Sequence, residues 1–171
     1  MALWRDGAFA DDDWLFPADD AAIPAIGKVA VGRARLLAER DALVAREDAI
    51  GLVLSAGESL AGIEPDLANL ALIVLRFPKY ADGRPYSMAR RLRVAHGFRG
   101  ELRAAGDVLR DQVTFLRRAG FDSLEGTDPG TIAALRAGRI VAVRRHYQPG
   151  AAEIVEAAVP GAPWRRASSP R

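Results

Sequence analysis

The 171-residue chain has no cysteine, and that one absence removes a wide range of chemistry. It excludes disulfides, cysteine nucleophiles, cysteine-ligated iron–sulfur clusters and Cys-type zinc sites. A redox role would need a borrowed cofactor or a redox partner. Lysine is almost absent as well: Lys28 and Lys79 are the only two, so the basic charge is nearly all arginine. His96 and His146 are the only histidines, and neither has neighbours at metal-ligand spacing, so no metal site is expected. No stretch approaches the roughly 20 apolar residues of a membrane span. The opening MALWRDGAFADDD lacks the basic start and long apolar core of a signal peptide, so a cytoplasmic protein without a membrane is the expectation. There is no GxGxxG, no Lys-Ser/Thr after the Gly57…Gly62 pair, and no nucleophile-elbow pattern around SAGES. RNP-like aromatics and zinc fingers are missing too, which leaves only diffuse arginine in favour of nucleic acid.

What is present is a chain with 50% apolar residues and an uneven charge. Residues 1–26 carry one Arg against six Asp, a net of −5, whereas residues 76–118 carry eleven cations against four acids, a net of +7. The central region should attract anions, and the acidic head could cover part of it. We divide the chain into an acidic N-terminal arm (1–26), an α/β domain (27–148) and a flexible C-terminal tail (149–171). The arm mixes Trp4, Phe9, Trp14 and Phe16 with its acids, as a short strand or hairpin docked on the domain would.

A βα rhythm starts after Gly27. Strands are expected at 28–31, 50–54, 72–77, 101–105 and 121–124. Helices are expected at 33–49, from Pro65 to about residue 70, at 88–96 with Ser87 as N-cap, at 108–119 with Asp107 as N-cap, and near 131–137 after Pro129. The 72–77 run has almost no polar alternation, which indicates burial on both faces as in a parallel sheet. The run 140–143 fits strand or helix equally. Strand starts about 20–30 residues apart suit right-handed βα crossovers. The fold class is therefore α/β, with a mainly parallel sheet of about five strands, either open and doubly wound or an incomplete β/α barrel. A full barrel usually needs about 250 residues.

Two loops carry the candidate chemistry. The first, residues 77–87, leaves the third strand for a helix N-terminus, and Lys79, Asp82, Arg84 and Ser87 make it a candidate anion seat. The second, residues 103–112, holds Arg103, Arg110 and Gln112 as further candidate ligands. Asp107 and Asp111, four apart, would share a helix face, where a raised pKa could make either an acid or a base. The plainer readings are an N-cap for Asp107 and a structural ion pair for Asp111. No cofactor is indicated.

The runs FPKYADGRPYSMARRLR and GFRGELRAAGDVLRDQVTFLRRAGFD resemble a bacterial family of uncharacterised proteins, DUF934. The resemblance covers residues 50–147. It rests on Phe77, Pro78, Asp82, Gly83, Arg84, Ser87, Arg90 and Arg93 in the first run. In the second it rests on Arg103, Gly106, Asp107, Asp111, Gln112, Gly120 and Asp122, and Tyr147-Gln148 resembles the closing motif. Pro85 stands where a smaller residue is expected, and Met88 where Leu is common. The resemblance implies a place beside assimilatory sulfite reductase. The implied partner is that enzyme or another of sulfate assimilation, with an anionic small molecule as ligand. The first expectation is therefore an accessory protein of sulfite reduction. A small oxidoreductase-type enzyme of the same pathway using a borrowed cofactor is the alternative, and a module for a phosphorylated metabolite or RNA the next. Exposed arginine would also suit an oligomer interface.

Overall fold

A computed structural model describes residues 2–126 and 128–140. The run 141–143, the Tyr147-Gln148 pair and the tail expected at 149–171 lie outside the described residues.

Three short strands come from the acidic head: β1 (Ala2–Arg5), β2 (Ala8–Ala10) and β3 (Trp14–Leu15). Five more follow the predicted rhythm: β4 (Lys28–Gly32), β5 (Ile50–Leu54), β6 (Leu70–Phe77), β7 (Glu101–Gly106) and β8 (Ser123–Gly126). They form one sheet in the order β2-β1-β8-β7-β6-β5-β4-β3. The strands from β3 to β8 run parallel, each beside the next in sequence, while β1 lies antiparallel to β8 and β2 antiparallel to β1. The sheet is open and curled, a half barrel. A doubly wound sheet reverses its strand order at a switch point. Here the order from β3 to β8 never reverses, so right-handed crossovers place all the helices on one face. Of the two expected architectures, the incomplete barrel is the one found, with eight strands rather than about five. The additional strands come from the head: β1 and β2 are the docked hairpin expected there, and the short β3 beside β4 is the further strand.

The alternation along each strand assigns the two faces. Ile50, Leu52 and Leu54 of β5 and Leu102 and Ala104 of β7 enter the main core under the helices. Trp14, Ala30, Leu72, Val74 and Ala105 form a smaller cluster on the opposite, inner face. Leu70–Phe77 contributes to both clusters, which is why it reads as a continuous apolar run. The inner face is tightly packed at Gly51. A Cβ there would stand 2.9 Å from the Ala30 Cβ and 3.1 Å from the Trp14 ring.

Several local expectations are corrected. The predicted 33–49 helix is two pieces, α1 (Arg33–Ala38) and α2 (Arg40–Val44), separated at Glu39. The segment after Ile63 is a 3₁₀ turn over Glu64–Asn69 with Pro65 in its first turn. Helix α3 (Arg84–Val94) begins three residues before the predicted Ser87 cap. The Asp82 carboxylate instead accepts the Arg84 N–H at 3.0 Å, and the fixed φ of Pro85 suits a first turn. Asp107 is not an N-cap either. Gly106 has φ +100°, the Asp107 N–H donates to the Phe77 carbonyl at 2.9 Å, and Leu109 is extended. Helix formation therefore waits for a 3₁₀ turn at Arg110–Gln112 and then α4 (Val113–Ala119). Gly120, with φ +103°, ends α4 as expected. Helix α5 (Pro129–Arg136) is capped by Asp128, which accepts from the Thr131 N–H.

Much of the arginine is structural. Arg35 donates to the Ala18 and Ala21 carbonyls, and Arg46 to those of Pro24 and Gly27, so the head is fastened to the domain through its backbone. Arg33 holds the Ser59 and Ala61 carbonyls, and Arg40 the Gly62 carbonyl and the Asp66 carboxylate. Arg93 donates to the carbonyls of Phe98, Gly100 and Gly120. A guanidinium carries five donors in a fixed fork, which lets one side chain satisfy several loop carbonyls that a lysine could not reach together.

Candidate functional site

The strands β4, β5 and β6 end side by side, and the loops that follow them open a cleft with two lobes. The larger lobe, about 540 Å³, lies between the turn after β5 and the start of α3, and its polar lining is Ser55, Glu58, Arg76, Arg84, Ser87 and Arg91. The smaller, about 380 Å³, lies between β4 and the head and includes Phe16, Asp19, Gly32, Arg33 and Val53. Ser55, Glu58 and Arg76 line both lobes, so the two meet along these three residues. This is the end of a parallel sheet where ligands characteristically collect.

The sequence builds this cleft locally. After β5 the chain turns sharply: the Glu58 N–H donates to the Ser55 carbonyl at 3.1 Å, and the Ser55 N–H donates back to the Glu58 carboxylate at 2.6 Å. Gly57 supplies the left-handed residue at φ +94°. A Cβ on Gly57 would come within 2.8 Å of an Arg84 Nη1, so the guanidinium lies against bare backbone. Asp82 grips the other side of Arg84 at 2.6 Å. That side-chain hydrogen bond from Arg84 holds the Asp82 carboxyl down to about 2 and raises the arginine in turn. Arg84 is thereby positioned but half neutralised. Arg76, at the end of β6, and Arg91, two turns into α3, are exposed. Neither has a side-chain hydrogen bond or ion pair among the described residues.

The residues singled out in the sequence fall into three groups. Arg84 and Ser87 line the larger lobe, and Asp82 sets the Arg84 side chain. Asp107 and Gln112 tie the two predicted loops together. Asp107 accepts the Tyr80 N–H at 3.0 Å, while Gln112 donates to the Tyr80 carbonyl at 2.6 Å and accepts from the Leu109 N–H at 2.9 Å. Lys79 is exposed on the first of these loops, and Asp111 pairs with Arg110 at 3.4 Å on the open surface. Asp107 and Asp111 do not share a helix face, because only Asp111 lies in a helical turn.

Arg103 stands apart. It is fully buried at the middle of β7 on the inner face. Its guanidinium meets Asp12 at 2.7 Å, Glu101 at 3.0 Å and Glu125 at 3.5 Å, with the Phe16 ring 5.9 Å away. Burial alone would lower the arginine's pKa, but Asp12 and Glu101 outweigh it and the net shift is upward. Arg5 also pairs with Glu101 at 3.2 Å, so three carboxylates meet two cations and keep a surplus of negative charge. Burial pushes Glu125 up, with Arg103 only partly opposing. The cluster seals the head onto the sheet, and its cation is already occupied.

Sequence reasoning missed Arg76, Arg91, Ser55 and Glu58. Arg76 had a usable signal, a lone charge near the end of an otherwise apolar strand. The others had none, because each depends on which loops become neighbours.

A family model described as a bacterial protein of unknown function (DUF934) matches residues 51–156, more than half of the chain. The span includes every residue that lines the larger lobe. No curated protein matches the chain.

Proposed function

We propose, for a chain that belongs to the DUF934 family, that it binds a small anion in the larger lobe and serves sulfate assimilation as an accessory protein of sulfite reduction. The observation that carries the anion site is the convergence of Arg76, Arg84 and Arg91 with the Ser55 and Ser87 hydroxyls around one cleft at the strand ends. Arg76 and Arg91 retain unused donors, so an entering anion would gain charge-assisted hydrogen bonds without breaking existing ones. Arg84, steadied by Asp82 and Gly57, supplies a preset fork. The pathway rests on the resemblance of the two central runs, and the partner we propose is a sulfate-assimilation enzyme.

Calorimetric titration with sulfite, sulfate and phosphate tests the anion site. The wild type should bind at least one of them, and Arg76→Ala or Arg91→Ala should weaken that binding by about tenfold or more, the worth of one charged hydrogen bond. Undiminished binding in the Arg76→Ala, Arg91→Ala double variant would exclude the lobe. Growth of a deletion strain on different sulfur sources tests the pathway. Failure on sulfite with rescue by sulfide is expected, whereas normal growth on both would remove the assignment.

A further inference from the structure

The cleft is bipolar. In the larger lobe the cations are Arg84 and Arg91, and it shares Arg76 and the Glu58 carboxylate with the smaller lobe. In the smaller lobe two carboxylates, Asp19 and Glu58, face a floor of Ala30, Gly32 and Val53, and the Phe16 ring stands among the walls. Gly32 lets this floor lie close to the carboxylate, since a Cβ there would be 3.2 Å from an Asp19 oxygen. Arg33, the other cation of this lobe, is committed to the Ser59 and Ala61 carbonyls. Each pole selects a different chemistry. Unpaired guanidiniums take an anion. Free carboxylate oxygens can only accept hydrogen bonds, so they suit hydroxyls or amines. A small-residue floor beside an aromatic ring suits a flat ring system.

We infer that the occupant is a two-part molecule of the nucleoside phosphate or nucleoside sulfate class, its anionic group in the arginine lobe and its nucleoside in the lobe walled by the head. This deepens the anion-site reading and depends on it. The two lobes together give a volume on the scale of small-molecule sites. The anionic half lies wholly within residues 51–156, whereas Phe16, Asp19 and the β4 residues lie before that span. The anion-binding half thus coincides with the family match, and the other half joins Val53 and Glu58 from that span to Phe16, Asp19 and the β4 residues from before it. The head also has the means to hold its place there. Arg35 grips the Ala18 carbonyl at 2.7 Å and the Ala21 carbonyl at 2.6 Å, and Asp12 is anchored to Arg103, so Phe16 and Asp19 sit between fixed points.

The test compares adenosine 5′-monophosphate with inorganic phosphate by titration calorimetry on the full chain. The nucleotide should bind at least about fivefold more tightly, the low end of what one base stacked on an aromatic ring contributes. Phe16→Ala and Asp19→Asn should each erase most of that preference and leave phosphate binding unchanged. Arg91→Ala should weaken both ligands alike. Nucleotide binding no tighter than phosphate would overturn the inference and leave the anion site standing. Binding of neither, in a chain whose melting is normal, would overturn both.

Discussion

A single side chain, Arg103, shows how much of this protein's charge is internal. The sequence offers it as a ligand for an anion, but the folded chain supplies the anions itself through Asp12, Glu101 and Glu125. Because Glu125 is raised above the usual glutamate value of 4.5, its contribution to stability is complete below pH 4.5 and is lost as pH rises through the folded value. Glu125→Gln has no such loss. Its stability relative to the wild type should therefore rise with pH above 4.5 and then level off, as read from urea unfolding between pH 4 and 8. A flat difference would mean that Glu125 keeps its ordinary pKa. Removing Arg103 is the harsher change. Arg103→Met leaves Asp12 and Glu125 without their cation, with Arg5 still on Glu101, and should cost about 3–5 kcal/mol.

Elements here are held by their connections as much as by their own propensities. The β7–α4 unit is short on regular helix, and its loops and those of the β6–α3 unit are fastened by side chains. Arg93 on α3 reaches the carbonyls of Phe98, Gly100 and Gly120 and the Asp122 carboxylate, joining the entry to β7 with the entry to β8. Arg93→Ala should destabilise by about 2–4 kcal/mol, since several part-buried carbonyls lose their donor at once. Arg93→Lys should recover little, because one ammonium cannot span that fork. Denaturant midpoints for the two variants would decide it, and a near-complete rescue by lysine would show that only the charge matters. Helix positions were legible in the sequence to within a turn or so. Their caps were not, because Ser87 and Asp107 were read from local preference, whereas Asp82 receives the Arg84 N–H and the left-handed Gly106 redirects the chain to the Phe77 carbonyl.

At the scale of the molecule, the head is part of the sheet and not an appendage. β1 covers the β8 edge, Trp4 is 2% exposed, and Asp12 reaches the buried Arg103. Deleting residues 1–13 should cost at least about 3 kcal/mol from the lost tryptophan alone, or a fall in melting temperature of about 10 °C. Unchanged melting would show that the chain from residue 14 onward folds without β1 and β2. Among the described residues no helix is long and apolar enough to cross a membrane.

The sequence by itself determined the βα rhythm after Gly27, the five central strands, the burial of β6 on both faces and the exclusion of cysteine chemistry. These follow from periodicity and composition, which are properties of neighbouring residues. It also placed a candidate site at the strand ends and named two residues that line it, Arg84 and Ser87. Tertiary structure alone decided that the strand order never reverses, that the head's hairpin pairs with β8 and its third strand with β4, and which arginines stay unpaired. The physical reason is distance along the chain. Asp12 and Arg103 are 91 residues apart, and the cleft joins the turn after β5 to the start of α3 and to the head. No local pattern records which partner a charge will find once the sheet has curled.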